Sequence, residues 1–185
     1  MKTKLFFLAT VLLIYRLGYS QIYTGKSSEI SFFSHGPIED IAATSKSAQV
    51  MLNAPKGDVA VKVTIKGFVF EKKLMEEHFN EKYMESDKFP YATFTGKIKD
   101  TLDYKKDGTY KVSVIGKLNM HGVEKERTIS ANVTIKGGEI TVDTKFMVAL
   151  KDHNIEIPSL VSQNIAELVA VTVKSSLTEF IQKNK

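Results

Sequence analysis

The chain of 185 residues contains no cysteine, and that absence removes several chemistries at once. Disulfides, thiolate metal ligands and acylation at a cleavage-site thiol are all excluded. Proline is scarce too: Pro37, Pro55, Pro90 and Pro158 are the only four, and each stands at the edge of a patterned segment. The short signatures of common active sites are missing, with no Gly-x-Ser-x-Gly, no phosphate-cradling glycine loop and no zincin motif. No repeat of fixed period, low-complexity linker or second composition regime divides the chain, so one domain is expected.

The first twenty residues do not belong to that domain. Lys2 and Lys4 precede an apolar run, Leu5 to Ile14, and the small residues Gly18 and Ser20 precede Gln21. This is the form of a secretory signal peptide, and the run is too short for a permanent bilayer anchor. The expected organisation is a signal over residues 1–20 and one exported domain over 21–185, periplasmic or secreted. Export alters the charge balance. The full chain has 26 basic and 21 acidic residues, and removal of Lys2, Lys4 and Arg16 leaves 23 against 21. With lysine and glutamate interleaved, no basic stripe of the kind that binds nucleic acid remains.

What the sequence does contain is alternation. Val59, Val61, Val63 and Ile65 alternate with Ala60, Lys62, Thr64 and Lys66, a strand with one apolar face. At Gly67 the parity slips and Phe68 and Phe70 continue on even numbers, which suggests a β-bulge or sharp bend at the glycine. Alternation returns at Tyr110, Val112, Val114, Gly116, Leu118 and Met120, then from Ile129 through Val133 to Ile135. It recurs at Ile140, Val142, Thr144, Phe146, Val148 and Leu150, and at Val169, Val171, Val173 and Leu177. Shorter strands are expected at 29–34, 38–43 and 48–53. Turns fall at Asp107-Gly108, His121-Gly122 and Gly137-Gly138.

Long strands with a single apolar face must roll up to bury it. About eight antiparallel strands suit a closed barrel of the size that holds one small apolar ligand. A β-sandwich is the competing architecture. The bend at Gly67, the glycines Gly96 and Gly116 within strand faces and the availability of one helix as a plug favour the barrel.

That helix lies in residues 74–85. Leu74, Met75, His78, Phe79 and Tyr83 share one face, with Glu76, Glu77, Asn80 and Glu81 on the other. Pro90 pushes Phe89 out of helical conformation, and the period becomes two at Ala92, Phe94, Gly96 and Ile98. A further short helical turn is expected near 160–166.

Candidate catalytic groups do not assemble from this pattern. The four histidines, His35, His78, His121 and His153, have neither i, i+4 nor short hairpin spacing, so turn histidines on the surface and a packed helix histidine outweigh a metal site. The carboxylates Glu76, Glu77, Glu81, Glu85 and Asp87 spread over a solvent face. No enzyme, no metal and no cofactor are expected.

Two stretches carry a resemblance. Glu77-His78-Phe79, a short acidic run, Lys88-Phe89-Pro90 and Ala92-Thr93-Phe94-Thr95-Gly96-Lys97-Ile98 resemble the YceI-like family of polyisoprenoid-binding proteins. So does the hairpin Val114-Ile115-Gly116-Lys117-Leu118-Asn119-Met120-His121-Gly122-Val123-Glu124-Lys125. The resemblance spans about residues 21–177. It departs at Met75-Glu76, where many members carry Arg-Asp, so no role of that arginine transfers. It implies an all-β, lipocalin-like barrel with one short amphipathic helix, holding an isoprenoid, quinone-like or fatty-acyl chain. A small-molecule lipid is then the partner, and a homodimer stays open.

The lining would be drawn from the inward faces: Val61, Val63, Ile65, Phe68 and Phe70; Phe79 of the helix; Phe94 and Ile98; Val112, Val114 and Leu118; Val133; Val142, Phe146 and Val148. By the same resemblance Asp152-His153-Asn154, before Ile155, Ile157 and Pro158, lies near the barrel mouth and is a candidate for lipid head-group contacts. The alternative is an envelope or stress-related interaction module whose barrel is filled and binds no ligand. The exported protein is expected to begin within a residue or two of Gln21 and to be unlipidated. N-terminal sequencing of exported material checks this, and a surviving Met-Lys-Thr-Lys terminus would contradict it.

Overall fold

The computed structural model describes residues 21–36, 39–157 and 167–181. The signal segment and the helical turn expected near 160–166 lie outside the described residues. Ten strands form: β1 (Ile22–Ser34), β2 (Ile41–Ser45), β3 (Gln49–Asn53), β4 (Asp58–Thr64), β5 (Val69–Phe70), β6 (Tyr91–Ile98), β7 (Gly108–Met120), β8 (Val123–Lys136), β9 (Glu139–Ala149) and β10 (Leu168–Glu179). Eight of them close a ring in the order β1-β3-β4-β6-β7-β8-β9-β10 and back to β1, every pairing antiparallel. The expected barrel of about eight strands is therefore present, with β2 and β5 as a short extension of its wall.

The extension arises because β1 has two partners on one edge. Ile22–Thr24 pair with β3, while Ile30–Ser34 pair with β2, which in turn pairs with β5. The alternation over 59–65 reaches the wall through β4, and the parity slip that follows it is real. Of the two expected devices, a bulge or a sharp bend, the structure has the bend: a single 3-10 turn over Ile65–Gly67, after which Phe68 and Phe70 point inward. A strand irregularity occurs instead between Gly25 and Ser27 of β1. There a Cβ on Gly25 would lie 2.6 Å from Ser28 Oγ, so only glycine fits beside the buried Ser28–Ser175 hydroxyl pair.

A short helix, α1 (Lys73–His78), and a π-turn over Phe79–Tyr83 cover one end of the barrel. Met75, His78, Phe79 and Tyr83 turn inward as the spacing implies, but Leu74 is 61% exposed. The helix begins at Lys73, so Leu74 lies in its exposed first turn. Glu76 also departs from the solvent face. Its Oε2 accepts the Phe70 amide at 3.2 Å, which fixes α1 to β5.

The same end carries a polar node. Among the described residues three other than glycine have positive φ, Glu85, His121 and Asn154, and they lie at this end. His121 begins the β7–β8 turn. Its Nε2 faces Glu85 Oε2 at 2.9 Å and its Nδ1 faces the His153 carbonyl at 3.1 Å. His121 is therefore tucked away (10% side-chain exposure) and not the surface residue expected of a turn histidine. His153 sits in a 3-10 turn (Leu150–His153), fully buried, its Nδ1–H donating to the Val123 carbonyl at 3.0 Å. Its Nε2 is buried without a hydrogen-bond partner. Asp152 and His153 close this 3-10 turn, Asn154 follows in the left-handed region, and residues 155–157 form no strand.

Burial is the main cause that holds the His153 pKa below its ordinary value of 6.5, with Arg127 acting in the same direction. The carbonyls of Val123 and Met120 and the Asp152 carboxylate oppose it. A folded-state pKa below the unfolded one means that the unfolded chain binds the proton more readily, so this contribution is complete above the unfolded pKa and is lost as the pH falls below it. The melting temperature is expected to drop on acidification from pH about 7.5 to about 5, and H153Q should flatten that profile. Equal acid sensitivity in both proteins would remove His153 from the account.

Candidate functional site

The inward faces do not fill the barrel. They enclose a cavity of about 500 Å³ that runs from α1 at one end to the β6–β7 loop at the other. This lies within the range of small-molecule sites, about 300–1,000 Å³. All fifteen apolar candidates line it: Val61, Val63, Ile65, Phe68, Phe70, Phe79, Phe94, Ile98, Val112, Val114, Leu118, Val133, Val142, Phe146 and Val148. A filled barrel is thereby set aside.

The glycines within the strand faces explain part of the space. Gly96 and Gly116 pair directly across β6 and β7. A Cβ on Gly96 would come within 2.9 Å of the Phe94 ring, and one on Gly116 within 2.6 Å. Phe94 therefore lies flat against a bare patch of wall, where a side chain on either glycine would lift the ring into the lumen. The wall on this side is kept thin by two missing side chains.

The two ends differ. Beneath α1, Phe32, Phe68, Phe70 and Phe79 form a cluster with centroid separations from 5.0 to 5.7 Å. Around it stand three polar liners, Ser34, Glu39 and His78, with Glu39 bonded at the rim to Lys72. Glu39 remains 43% exposed, which marks this end as the mouth. At the opposite end Tyr104, from the loop between β6 and β7, lines the cavity and stacks on buried Tyr23 at 6.3 Å. Burial, and then the neighbouring Tyr23, pushes the Tyr104 phenol above its ordinary value of 10.0.

Asp152, His153 and Asn154 do not join the lining. Asp152 accepts from Arg127 Nη2 at 3.4 Å, His153 belongs to the polar node, and Asn154 is exposed in a left-handed turn. The polar residues at the mouth escaped sequence reading because Glu39, expected inside a strand over 38–43, lies in the loop before β2, which begins only at Ile41, and Ser34 alternates with Phe33, whose side chain faces out. His78 was placed on the correct helical face but read as packing. Among the described residues, no Lys or Arg side chain lines the cavity.

Comparison with known proteins agrees with this architecture. The chain is similar in structure to a polyisoprenoid-binding domain from Saccharophagus degradans implicated in plant cell wall breakdown. The TM-score is 0.73 at 15% identity, over 85% of this chain and 98% of that one. It is similar also to BcnA of Burkholderia cenocepacia, with a TM-score of 0.68 at 20% identity, covering 80% and 95% of the two chains. A Campylobacter jejuni YCEI protein aligns with a TM-score of 0.50 at 18% identity, over 70% and 80%. Comparison with curated protein sequences finds no relative of this chain. The family model for the YceI-like domain matches residues 21–177, nearly the whole of the barrel, and the chain belongs to that family.

Proposed function

We propose that this protein is an exported, non-enzymatic lipid carrier that holds one long apolar chain inside its barrel, in the periplasm or outside the cell. The observation that carries the reading is the continuous apolar cavity of about 500 Å³. The mechanism is burial. Each methylene withdrawn from water contributes about 0.8 kcal/mol, so a long tail binds with few polar contacts. The polyisoprenoid-binding domain among the structural neighbours supports the same class of ligand.

The electrostatics of the lining narrow the head group. Glu39, His78 and Tyr83 are titratable liners at the mouth, and among the described residues no Lys or Arg side chain lines the cavity to neutralise an anion. Lys72, at the rim, is already paired with Glu39. A carboxylate or phosphate drawn inside would lose its hydration with nothing to replace it. An isoprenoid or quinone-like lipid with an uncharged head fits better than a fatty acid.

Val114 points into the lumen from β7, between Ile98 and Ile129. Val114→Trp is expected to put an indole where the tail lies and to lower recovered lipid at least tenfold. The melting temperature of the ligand-free protein should change little, because the ring enters open space. Overpacking a filled interior would instead cost about 1–3 kcal/mol. Solvent extraction with mass spectrometry, and melting of delipidated protein, measure the two effects. Unchanged lipid recovery in the variant would move the binding site out of the barrel.

A further inference from the structure

A tail held in a closed barrel must end somewhere, and the end opposite the mouth is built differently from the mouth itself. We propose that Tyr104 is the length gauge of the cavity, its ring setting the longest apolar tail that the barrel takes whole. The inference rests on the carrier reading and adds to it a limit on chain length and the residue that imposes it.

Three observations carry it. Tyr104 lines the cavity at its far end, where Ile98, Ile140 and Leu177 are the neighbouring liners and all are buried. Behind it Tyr23, 4% exposed, stacks against the ring at 28° between planes, so the phenol has a backstop and cannot swing outward into that space. The loop that carries it is tied at both ends. The Lys99 amide donates to the Ser113 carbonyl at 2.9 Å, and the Ser113 amide donates to Asp100 Oδ2 at 2.6 Å. On the other side the Tyr110 hydroxyl donates to the Lys106 carbonyl at 3.1 Å, and the Gly137 amide donates to Asp107 Oδ1 at 3.1 Å. Within the loop, the Lys105 amide donates to Asp103 Oδ1 at 3.0 Å.

This end is a floor and not a second door. The mouth is braced differently, around one short helix without a side-chain N-cap, by the Glu76 bond to the Phe70 amide and the Glu39–Lys72 pair. The distance between the two is set by the wall. Lining residues on β7 run from Val112 to Met120. At about 3.4 Å per residue and a strand tilt of about 40°, they span about 20 Å along the axis. A tail longer than that depth must fold back or leave its surplus in water.

The test uses the full mature protein, stripped of lipid, and two homologous series: saturated fatty alcohols and isoprenoid alcohols of rising length. Binding is read by displacement of a fluorescent apolar probe and by the chain retained through gel filtration. Wild type is expected to show a length beyond which affinity stops rising. Tyr104→Ala should move that length upward, tightening chains too long for wild type about fourfold for each further methylene that the deeper cavity buries. Tyr104→Phe keeps the ring and should keep the wild-type limit. If Tyr104→Ala does not fold, Tyr104→Leu, shorter but still apolar, should shift the limit in the same direction by less. A wild-type limit that these substitutions leave unmoved overturns the gauge and leaves the carrier standing. Affinity that rises without limit in wild type also overturns it, because the floor is then open. Wild type that takes up no chain of any length overturns the carrier reading itself, and the gauge with it.

Discussion

Ten residue pairs between β1 and β10, from Tyr23 opposite Glu179 to Phe33 opposite Ala170, join the first strand of the ring to the last. Without that seam every strand would present one apolar face to water, and β1 and β10 would be unpaired edges open to other chains. Closure satisfies both edges, and it imposes a second condition, because strands in a ring of eight converge on a narrow interior. Side chains of ordinary size on every inward position would nearly fill it. The lumen survives because some of those positions carry little or nothing. Gly96 and Gly116 leave room for Phe94 against the wall, and Ala92 and Ala131 occupy other inward sites. Ser175 and Ser28 put small hydroxyls at the seam itself, where the two satisfy each other at 2.6 Å.

A cavity kept open in this way costs stability, since its lining forgoes the contacts a packed core would make. The compensation visible in the structure lies at the ends. Beneath α1 the four-ring phenylalanine cluster packs densely, and Ile65 and Phe68, on either side of the 3-10 turn, anchor it to the wall. At the other end Tyr23, Ile135, Ile140 and Leu177 are almost completely buried. Cohesion is concentrated at the two rims, and the middle is left for a ligand to complete. An apolar chain entering that space would restore the missing contacts, so the proposed binding would stabilise the fold.

Much of this was legible in the residues. The period of two over β4, β7, β8, β9 and β10 identified the inward faces, because on a wall wetted on one side the polar and apolar sets must alternate. The first half of β1 was not legible. Thr24-Gly25-Lys26-Ser27-Ser28 has no apolar alternation, and it forms a strand because β10 pairs with it. The same limit hid the polar node. His121 and His153 lie 32 residues apart and meet only when the β7–β8 turn closes on the turn after β9. Tyr104 gave no signal either, since it stands in a loop where nothing repeats and its role comes from where β6 and β7 end. Periodicity reports a wall; it is silent about what closes the wall off.

The asymmetry between the ends has a physical origin in chain connectivity. At the floor the strands are joined by short links: the turn at Pro55–Gly57, the loop carrying Tyr104, and Gly137-Gly138, whose positive φ values of 56° and 83° suit a tight hairpin. Short links hold their strands in register and leave little backbone free to move. At the mouth the chain leaves the wall three times, after β1, through β5, α1 and the π-turn before β6, and after β9 at the 3-10 turn. A helix of six residues is marginal by itself, and α1 is held mainly by Phe79 in the ring cluster and by the Glu76 bond to β5. That attachment is made by side chains and not by strand pairing. Beyond it, the polar node holds the chain through the contact of Glu85 with His121. The cover of the mouth is thus the part of the structure that depends least on the closed ring of strands, whose seam lies between β1 and β10.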